Sequence, residues 1–305
     1  MKHLLTITDF QDKDSIVNLL NLADNVKKHP REFRTTLKEK CIILLFRKTS
    51  TRTRISFQNG IYQLGGDAIY LDWSSTNIHL ADLRDEIKSM ATYVDMIMAR
   101  VHEHKTLELM SGVSNIPIIN GLSDLYHPCQ ILADLMTIRE KFGSFEDIKI
   151  SWSGDGNNVC NSLILGCMML DIPIAVATPK SYQPHQEVID WVKGQEKMHI
   201  FTLTEDPEEA VKEANVIYTD TFVSMGQEEE KEKRLSIFKP YQVNKKLIKS
   251  SGKDPYIMHC LPAHRGLEIT DEVLDSEKSI VFQQVENRLH LQKAIMLKLM
   301  NRYLD

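Results

Sequence analysis

Short runs of apolar residues alternate along the chain with longer stretches in which apolar residues recur every three or four positions. The short runs predict ten strands, at 41–46, 67–71, 94–99, 116–119, 148–153, 173–177, 199–203, 215–219, 256–260 and 279–282. The longer stretches predict helices, among them 13–28, 53–64, 85–93, 128–141, 158–170 and 184–194. Strands that read as continuous apolar runs are typical of parallel sheets covered by helices on both faces. The pattern therefore predicts an α/β fold with two doubly wound parallel-sheet domains.

A glycine-containing segment predicts where the first domain ends, and a run of charged residues predicts an exposed helix. The segment 142–147 contains Gly143, a residue type that commonly ends helices, directly before a new apolar run. We therefore expect a first domain over 1–141, a second over 142–285 and a separate amphipathic helix over 286–305. The run QEEEKEKR at 227–234 holds four acidic and three basic residues, which predicts a helical face exposed to water.

The composition narrows the class of protein. The chain has 305 residues, of which 42% are hydrophobic and 26% charged, as in ordinary globular proteins. Its 37 basic and 42 acidic residues give a net charge of −5, which argues against a nucleic-acid partner. The longest apolar run, 41–46, is too short to span a bilayer, so we expect neither a membrane span nor a signal peptide.

The cysteines and histidines predict neither a disulfide framework nor a metal site. The five cysteines form no CxxC pair, and their odd number favours a reducing, cytoplasmic location. The histidines form no HExxH motif, and His102 and His104 have no cysteine or carboxylate framework around them.

The segment FRKTSTRTR at 46–54 directly follows the first apolar run. Ser50, Thr51 and Thr53 can cap or line the start of a helix, whose free N–H groups attract an anion. Arg52 adds a planar guanidinium that fits phosphate oxygens. The alternative is a capped helix with exposed arginines. The segment favours a phosphate site, because its neighbouring cations would repel one another unless an anion lay among them.

Two further polar positions end or follow strands of the first half. The segment YHPCQ at 126–130 opens a helix with a proline in its first turn. His127 can donate a hydrogen bond to a carbonyl oxygen and Gln130 can bond to an amide, although a proline-started helix with an incidental histidine is the alternative. Arg100 follows the run 94–99 and so lies at the carboxyl edge of a sheet, where α/β proteins bind ligands.

Two loops of the second half carry polar groups after strands. SGDGNN at 153–158 imitates a dinucleotide-binding turn, but it lacks the third glycine and no acidic residue ends the next strand, which disfavours an NAD-dependent dehydrogenase. Asn158 would then face the ligand. In TDTFVSMG at 219–226, Asp220 can pair with an ammonium group, and Ser224 with nearby amides can hold a carboxylate. The alternative is a turn with a capping aspartate.

The segment HCLPAHRG at 259–266 places Cys260 at the end of a strand. A cysteine in this position can be a nucleophile, a proton acceptor or inert. The sequence leaves the three roles open, because the position of any base is unknown.

Six of these segments, taken together, resemble the carbamoyltransferases, and in particular the branch of that family that uses ornithine. The motifs are STRTR at 50–54, HPCQ at 127–130, DGNN at 155–158, DTFVSMG at 220–226, HCLPAHRG at 259–266 and ENR at 286–288. They occur in the family's order and spacing over nearly the whole chain. STRTR and HPxQ mark the wider family, whereas the SMG loop and HCLP mark the ornithine branch.

The resemblance implies a fold and a reaction. The first of two α/β domains would bind carbamoyl phosphate, the second would bind the amino acid, and the C-terminal helix would return to the first domain. The reaction would move the carbamoyl group to the δ-amine of L-ornithine, giving citrulline in arginine metabolism without a metal or organic cofactor. The family is typically built on trimers with active sites near subunit interfaces, so the resemblance implies a homotrimer or a multiple of trimers.

The resemblance also implies roles for individual residues. Those that would hold the phosphate are Ser50, Thr51, Arg52, Thr53 and Arg100. Those that would address the carbamoyl group are Arg100, His127 and Gln130. Cys260, the Leu261 backbone and Arg288 would close over the donor from the other domain, and the residues with catalytic roles would be Arg100, His127 and Cys260. Those that would hold ornithine are Asn158, Asp220, Ser224 and Met225.

Two features depart from the family pattern. The segment 78–85 is shorter by about three residues than the family loop it replaces, so we assign no contact to His79, and Phe222 stands where tryptophan is common. The alternatives to ornithine transfer are another amine acceptor, such as putrescine or an acylated ornithine, and a non-catalytic protein that keeps the fold. Aspartate is disfavoured, because Asp220 and the SMG loop suit an amino acid with an extra amine.

Overall fold

The computed structural model describes residues 1–224 and 228–301. Within these residues the strands are β1 (Cys41–Phe46), β2 (Asp67–Asp72), β3 (Met96–Arg100), β4 (Ile118–Leu122), β5 (Ile150–Ser153), β6 (Ile174–Ala177), β7 (Phe201–Thr204), β8 (Val216–Thr219) and β9 (Tyr256–His259). The α-helices are α1 (Lys13–Lys28), α2 (Thr51–Gln63), α3 (Leu83–Met90), α4 (His104–Val113), α5 (Pro128–Phe142), α6 (Asn158–Met169), α7 (Gln186–Gly194), α8 (Pro207–Val211), α9 (Lys231–Phe238), α10 (Lys245–Ser250), α11 (Asp271–Leu274) and α12 (Val281–Leu299). Short 3-10 helices cover Ile7–Asp9, Trp73–Ser75, Asn77–His79, Lys180–Tyr182, Met198–Ile200, Glu228–Glu230 and Lys239–Tyr241.

The strands form two parallel sheets, as the apolar runs predict. One has the order β2-β1-β3-β4 and the other the order β7-β6-β5-β8-β9. The central strands β1, β3, β5 and β8 are almost entirely buried, whereas the edge strand β2 has only exposed and partly buried residues. Central strands buried on both faces are the reason why this sequence reads as continuous apolar runs rather than as an alternation. The prediction of an α/β fold with two parallel sheets is confirmed.

Contacts between residues divide the chain into two compact units. One contains Met1–Met136 together with the chain from Glu286 on, and the other contains Thr137–Val285. The division falls inside α5, ahead of the predicted boundary at 141/142. Among the described helices, none is both long and apolar enough to cross a bilayer.

Two sequence-based expectations about the last part of the chain are wrong. The run 279–282 forms no strand, because Ser279 makes only an isolated bridge to Ile257 and the chain enters α12 at Val281. Ile280 and Val281 are buried while Phe282 is 74% exposed, which is the arrangement of a helix start. For the same reason the last helix begins at Val281 rather than at Glu286.

Candidate functional site

The carboxyl edge of the first sheet collects the polar segments of the first unit. Strand order reverses between β1 and β3, and these two strands pair with Phe46 opposite Arg100 at their ends. The chain after β1 enters α2, and the chain after β4 leads to α5. Since ligands of α/β sheets bind outside the carboxyl ends at such a reversal, the topology places a candidate site here.

The start of α2 is capped from within the STRTR motif. Ser50 is the N-cap, with extended backbone, and its Oγ accepts a hydrogen bond from the Thr53 amide at 3.3 Å. The Ser50 hydroxyl also donates to Thr53 Oγ1 at 3.1 Å, and the Thr53 side chain is fully buried. Thr51 and Arg52 are the first two helical residues. The capped-helix alternative and the anion-site prediction are therefore compatible, since a capped helix start can also bind an anion.

Arg288 connects α12 to both motifs of the first unit. Its guanidinium donates to Thr53 Oγ1 at 2.8 Å and to Gln130 Oε1 at 3.0 Å. Gln130 in turn donates to the buried carboxylate of Asp134 at 2.9 Å. Arg288 lies in the first unit, so the expectation that it would approach from the second domain is wrong. The reason is that α12 passes out of the second unit at Val285, before Arg288.

His127 lies among guanidinium groups. It is 4% exposed, its carbonyl accepts the Gln130 amide at 3.1 Å, and Pro128 is the first residue of α5, as predicted. Burial, strengthened by the positive charges of Arg288, Arg100 and Arg52, holds the pKa of His127 well below 6.5. A neutral imidazole surrounded by three cations can donate a hydrogen bond without adding a fourth charge.

The turn that presents His127 is braced by residues that the sequence did not single out for this role. Ser123 Oγ accepts the Tyr126 amide at 3.2 Å and lies 3.0 Å from Nδ1 of His104, the first residue of α4. The buried Asn120 donates to the Tyr126 carbonyl at 3.2 Å. The one feature of the sequence that could have indicated this turn is the serine three residues before Tyr126, whose hydroxyl can accept the Tyr126 amide.

The second sheet has the same organisation. Its order reverses between β5 and β8, so the loops after these strands, 154–157 and 220–224, begin at one edge. Strand β9 pairs with β8 and ends at His259, which puts Cys260 at that edge too. Ser224 is half-buried at the last described position before the gap, and Met225 lies outside the described residues.

Asp220 is the centre of this second cluster. Its Oδ1 accepts from the Cys260 thiol at 3.0 Å and its Oδ2 accepts from Asn157 Nδ2 at 2.8 Å. Asn157 is also the N-cap of α6, accepting from the Val159 and Cys160 amides. Asn158, the residue singled out in the sequence, is the first residue of that helix. This contact to Asp220 is thus made by Asn157, the residue before Asn158. A polar residue directly ahead of a predicted helix is a signal by which the sequence could have singled out Asn157.

Arg234 is buried beside this cluster, so the expectation that the whole segment 227–234 is solvated is wrong at its last residue. The Arg234 side chain is 3% exposed, forms an ion pair with Asp155 and donates to the Phe222 carbonyl at 2.7 Å. Its guanidinium also lies 4.5 Å from the ring centroid of Tyr182. Burial raises the pKa of Asp155 to about 6, although Arg234 opposes the shift. Arg234 therefore compensates a buried carboxylate.

The glycine pair that imitated a dinucleotide turn has another explanation. A Cβ on Gly156 would lie 2.3 Å from the Pro184 nitrogen and 2.4 Å from the Gln183 carbonyl carbon. The Gly156 amide donates to the Tyr182 carbonyl at 2.9 Å. Gly156 therefore has no Cβ because the backbone of residues 182–184 packs against it, and not because a dinucleotide does.

One group of residues could in principle hold a metal ion. Potential ligand atoms of Asp220, His259 and Cys260 lie within 4.8 Å of one another. Both ring nitrogens of His259 already lie within hydrogen-bond distance of Leu261 and Glu268, and the Cys260 thiol donates to Asp220. All three side chains are therefore already engaged in hydrogen bonds with protein groups.

Comparison with known proteins assigns the chain to a family. Residues 2–140 match the family model described as the carbamoyl-P binding domain of aspartate/ornithine carbamoyltransferase, and residues 146–299 match its Asp/Orn binding domain. The chain belongs to the aspartate/ornithine carbamoyltransferase family, as its motifs predict.

Similar proteins are found across that family at full length. The ornithine carbamoyltransferase of Archaeoglobus fulgidus is 48% identical over 305 residues, which cover 99% of this chain and 98% of that protein. The crystal structure of Thermus thermophilus ornithine carbamoyltransferase has a TM-score of 0.88 at 38% identity, covering 98% of this chain and 99% of that one. The structure of the Pyrococcus furiosus ornithine carbamoyltransferase has a TM-score of 0.94 at 44% identity, covering 99% of this chain and 98% of that one.

Proposed function

We propose that the protein transfers the carbamoyl group of carbamoyl phosphate to the δ-amine of L-ornithine, giving L-citrulline and phosphate (EC 2.1.3.3). The observation that carries the proposal is the neutral His127 surrounded by Arg52, Arg100 and Arg288 at the carboxyl edge of the first sheet. Several guanidinium groups beside a neutral hydrogen-bond donor suit a dianionic ligand, and carbamoyl phosphate is a dianion. Full-length similarity to proteins named ornithine carbamoyltransferase supports the same assignment.

The donor chemistry assigns a task to each group of the first unit. The amides and hydroxyls of Ser50, Thr51 and Thr53 hold phosphate oxygens, together with Arg52 and Arg100. His127 and Arg100 donate to the carbamoyl oxygen, where negative charge grows as the amine attacks. Gln130, oriented by Arg288 and Asp134, contacts the carbamoyl amide. Phosphate leaves with the electron pair of the broken C–O bond and takes up the proton that the attacking amine loses, and the guanidinium groups offset its charge.

The acceptor chemistry belongs to the second unit. Asp220 pairs with the α-ammonium of ornithine, Ser224 and Met225 meet its carboxylate, and Asn158 with the neighbouring Asn157 lines the site. The attacking δ-amine must be neutral, whereas a free alkylamine has a pKa of about 10.4, as for lysine. We assign the Cys260 thiol, which donates to Asp220, to interact with this amine, and the Leu261 backbone to close over carbamoyl phosphate. No metal or organic cofactor enters these steps.

The family resemblance extends the proposal to the setting of the enzyme. We expect a homotrimer or a multiple of trimers, a role in arginine metabolism and a cytoplasmic location. The domain assignment follows the same source, with carbamoyl phosphate on 1–141 and ornithine on 142–285, and the chain from Glu286 on is grouped with the first unit.

An acceptor panel tests the proposal. Purified protein is assayed with saturating carbamoyl phosphate and L-ornithine, putrescine, N-acetyl-L-ornithine or L-aspartate, and the ureido product is measured colorimetrically. We expect kcat/KM to be highest for L-ornithine, because putrescine lacks the carboxylate and acylation removes the ammonium that Asp220 would bind. A higher kcat/KM for putrescine or N-acetylornithine would establish the alternative acceptor, and no product with any amine would indicate a non-catalytic protein.

A further inference from the structure

His259 is a fully buried histidine directly before Cys260, and the proposed reaction gives it no task. Its ring lies between two partners: Nε2 is 3.2 Å from Oε1 of Glu268, and Nδ1 is 2.9 Å from the Leu261 amide nitrogen. Its own backbone amide donates to Gln284 Oε1 at 3.0 Å. His259, the last residue of β9, is thus bonded both to the loop that follows this strand and to the first turn of α12.

These contacts determine which nitrogen of His259 carries the proton. A backbone amide can only donate, so Nδ1 must accept from Leu261 and carries no hydrogen. The neutral ring then has its proton on Nε2, from which it donates to Glu268. Glu268 is itself fully buried and also accepts from the His264 amide, so it is fixed in place. Glu268 therefore selects the tautomer that leaves Nδ1 free to accept.

The Leu261 amide belongs to the peptide bond that joins Cys260 to Leu261. Leu261 has φ of +56°, in the left-handed region that L side chains rarely adopt. The bond from its amide to His259 holds the chain in this conformation. The Cys260 thiol, one peptide away, donates to Asp220 at 3.0 Å. The direction of this thiol and the orientation of the Leu261 backbone therefore depend on the same peptide plane.

We propose that His259 is a positioning residue: its Nδ1, presented by the buried carboxylate of Glu268, fixes the Cys260–Leu261 peptide and so aims the Cys260 thiol and the Leu261 backbone at the substrate. The inference rests on the proposed function for its kinetic consequence. His259 acts through the backbone and not as a proton acceptor for the thiol, since both ring nitrogens are directed at other partners.

Two substitutions at His259 separate this role from space filling and from proton transfer. In His259→Asn a side-chain oxygen close to the position of Nδ1 can still accept from the Leu261 amide, whereas His259→Leu has a similar size and no acceptor. We expect His259→Asn to keep most of kcat/KM for L-ornithine, and His259→Leu to lose about tenfold or more, as for an unsatisfied buried amide. Because the Leu261 backbone is assigned to the donor, binding of carbamoyl phosphate, measured by calorimetry, should be weaker in His259→Leu than in His259→Asn. The control is His199→Leu, which removes an exposed histidine.

Equal activity of the two variants would overturn the proposal, because the acceptor would then be irrelevant. Equal and complete loss in both would overturn it too, in favour of a direct chemical role. If His259→Leu does not fold, the ¹⁵N chemical shifts of His259 in the wild-type protein decide the matter: a proton on Nε2 supports the proposal and a proton on Nδ1 contradicts it. A wild-type protein that makes no citrulline would refute the proposed function, while the tautomer measurement would still test the role of His259.

Discussion

His127 should remain uncharged in the folded protein at pH values where a free imidazole is protonated. It is 4% exposed, and the neighbouring Arg52, Arg100 and Arg288 oppose a further positive charge. Burial is the larger cause of the lowered pKa, and the three guanidinium groups add to it. The perturbation that tests this is His127→Gln, which keeps an amide donor and cannot titrate.

The size of the effect follows from proton linkage. In the unfolded chain His127 titrates with its ordinary pKa of 6.5, and in the folded chain it does so well below that value. Below pH 6.5 the unfolded chain therefore binds a proton that the folded chain does not, so this group lowers the free energy of unfolding as the pH falls. The limiting slope is about 1.36 kcal/mol per pH unit, which amounts to about 1.4 kcal/mol between pH 7.5 and pH 5.5.

Urea unfolding of the wild type and of His127→Gln, followed by circular dichroism at the two pH values, measures this contribution. Relative to the variant, the wild type should lose about 1.4 kcal/mol on acidification, while all other titrating groups cancel in the comparison. His199→Gln controls for the loss of an imidazole at an exposed position. A stability difference between wild type and His127→Gln that is the same at both pH values would refute the reasoning, since His127 would then be protonated in the folded state as readily as in the unfolded one.

Three further predictions concern other side chains of the two clusters. Arg52→Gln should lower kcat/KM for carbamoyl phosphate by about 100-fold or more in steady-state assays, because a charged donor to the developing anion is lost; a value like that of the exposed-site control Arg31→Gln would contradict the phosphate assignment. Arg234→Met should destabilise the protein by about 3–5 kcal/mol in urea, because Asp155 is left as a buried charge without its partner. In the Arg234→Met background, Asp155→Asn should restore part of the lost free energy of unfolding. If the two substitutions instead change the free energy of unfolding additively, the Arg234–Asp155 ion pair contributes nothing and the prediction is wrong. Cys260→Ser should raise KM for L-ornithine less than Cys260→Ala does, because a hydroxyl can still donate to Asp220; identical KM values in the two variants would mean that this hydrogen bond is irrelevant.

The sequence predicted the strands well where they are central in a sheet. The run 41–46 coincides with β1, whose residues after Cys41 are all buried, so nothing competes with its apolar signal. The run 279–282 looks similar but lies next to a helix start, where Phe282 is exposed and only one bridge forms. Apolar content alone does not distinguish a short strand from the first turn of a helix.

The candidate site could be predicted where function depends on a motif and less where it depends on long-range packing. Ser50 and His127 start helices, so their positions follow from local capping rules. Arg234 lies in a segment of charged residues, and its burial depends on Asp155, which lies 79 residues earlier in the chain. The contact of Glu268 with His259 likewise depends on how the loop after β9 folds back. The pattern of apolar residues along the sequence does not predict the path of this loop.

The transfer itself can be observed directly. [¹³C]Carbamoyl phosphate and L-ornithine labelled with ¹⁵N at the δ-nitrogen are incubated with the wild-type protein, and the products are followed by ¹³C NMR. The proposed function predicts a new ureido carbon signal split by a one-bond ¹³C–¹⁵N coupling, and the signal should form about 100-fold or more slowly with Arg52→Gln. A carbamoyl label that passes only to bicarbonate, or a product carbon without coupling to the δ-nitrogen, would contradict the proposed reaction.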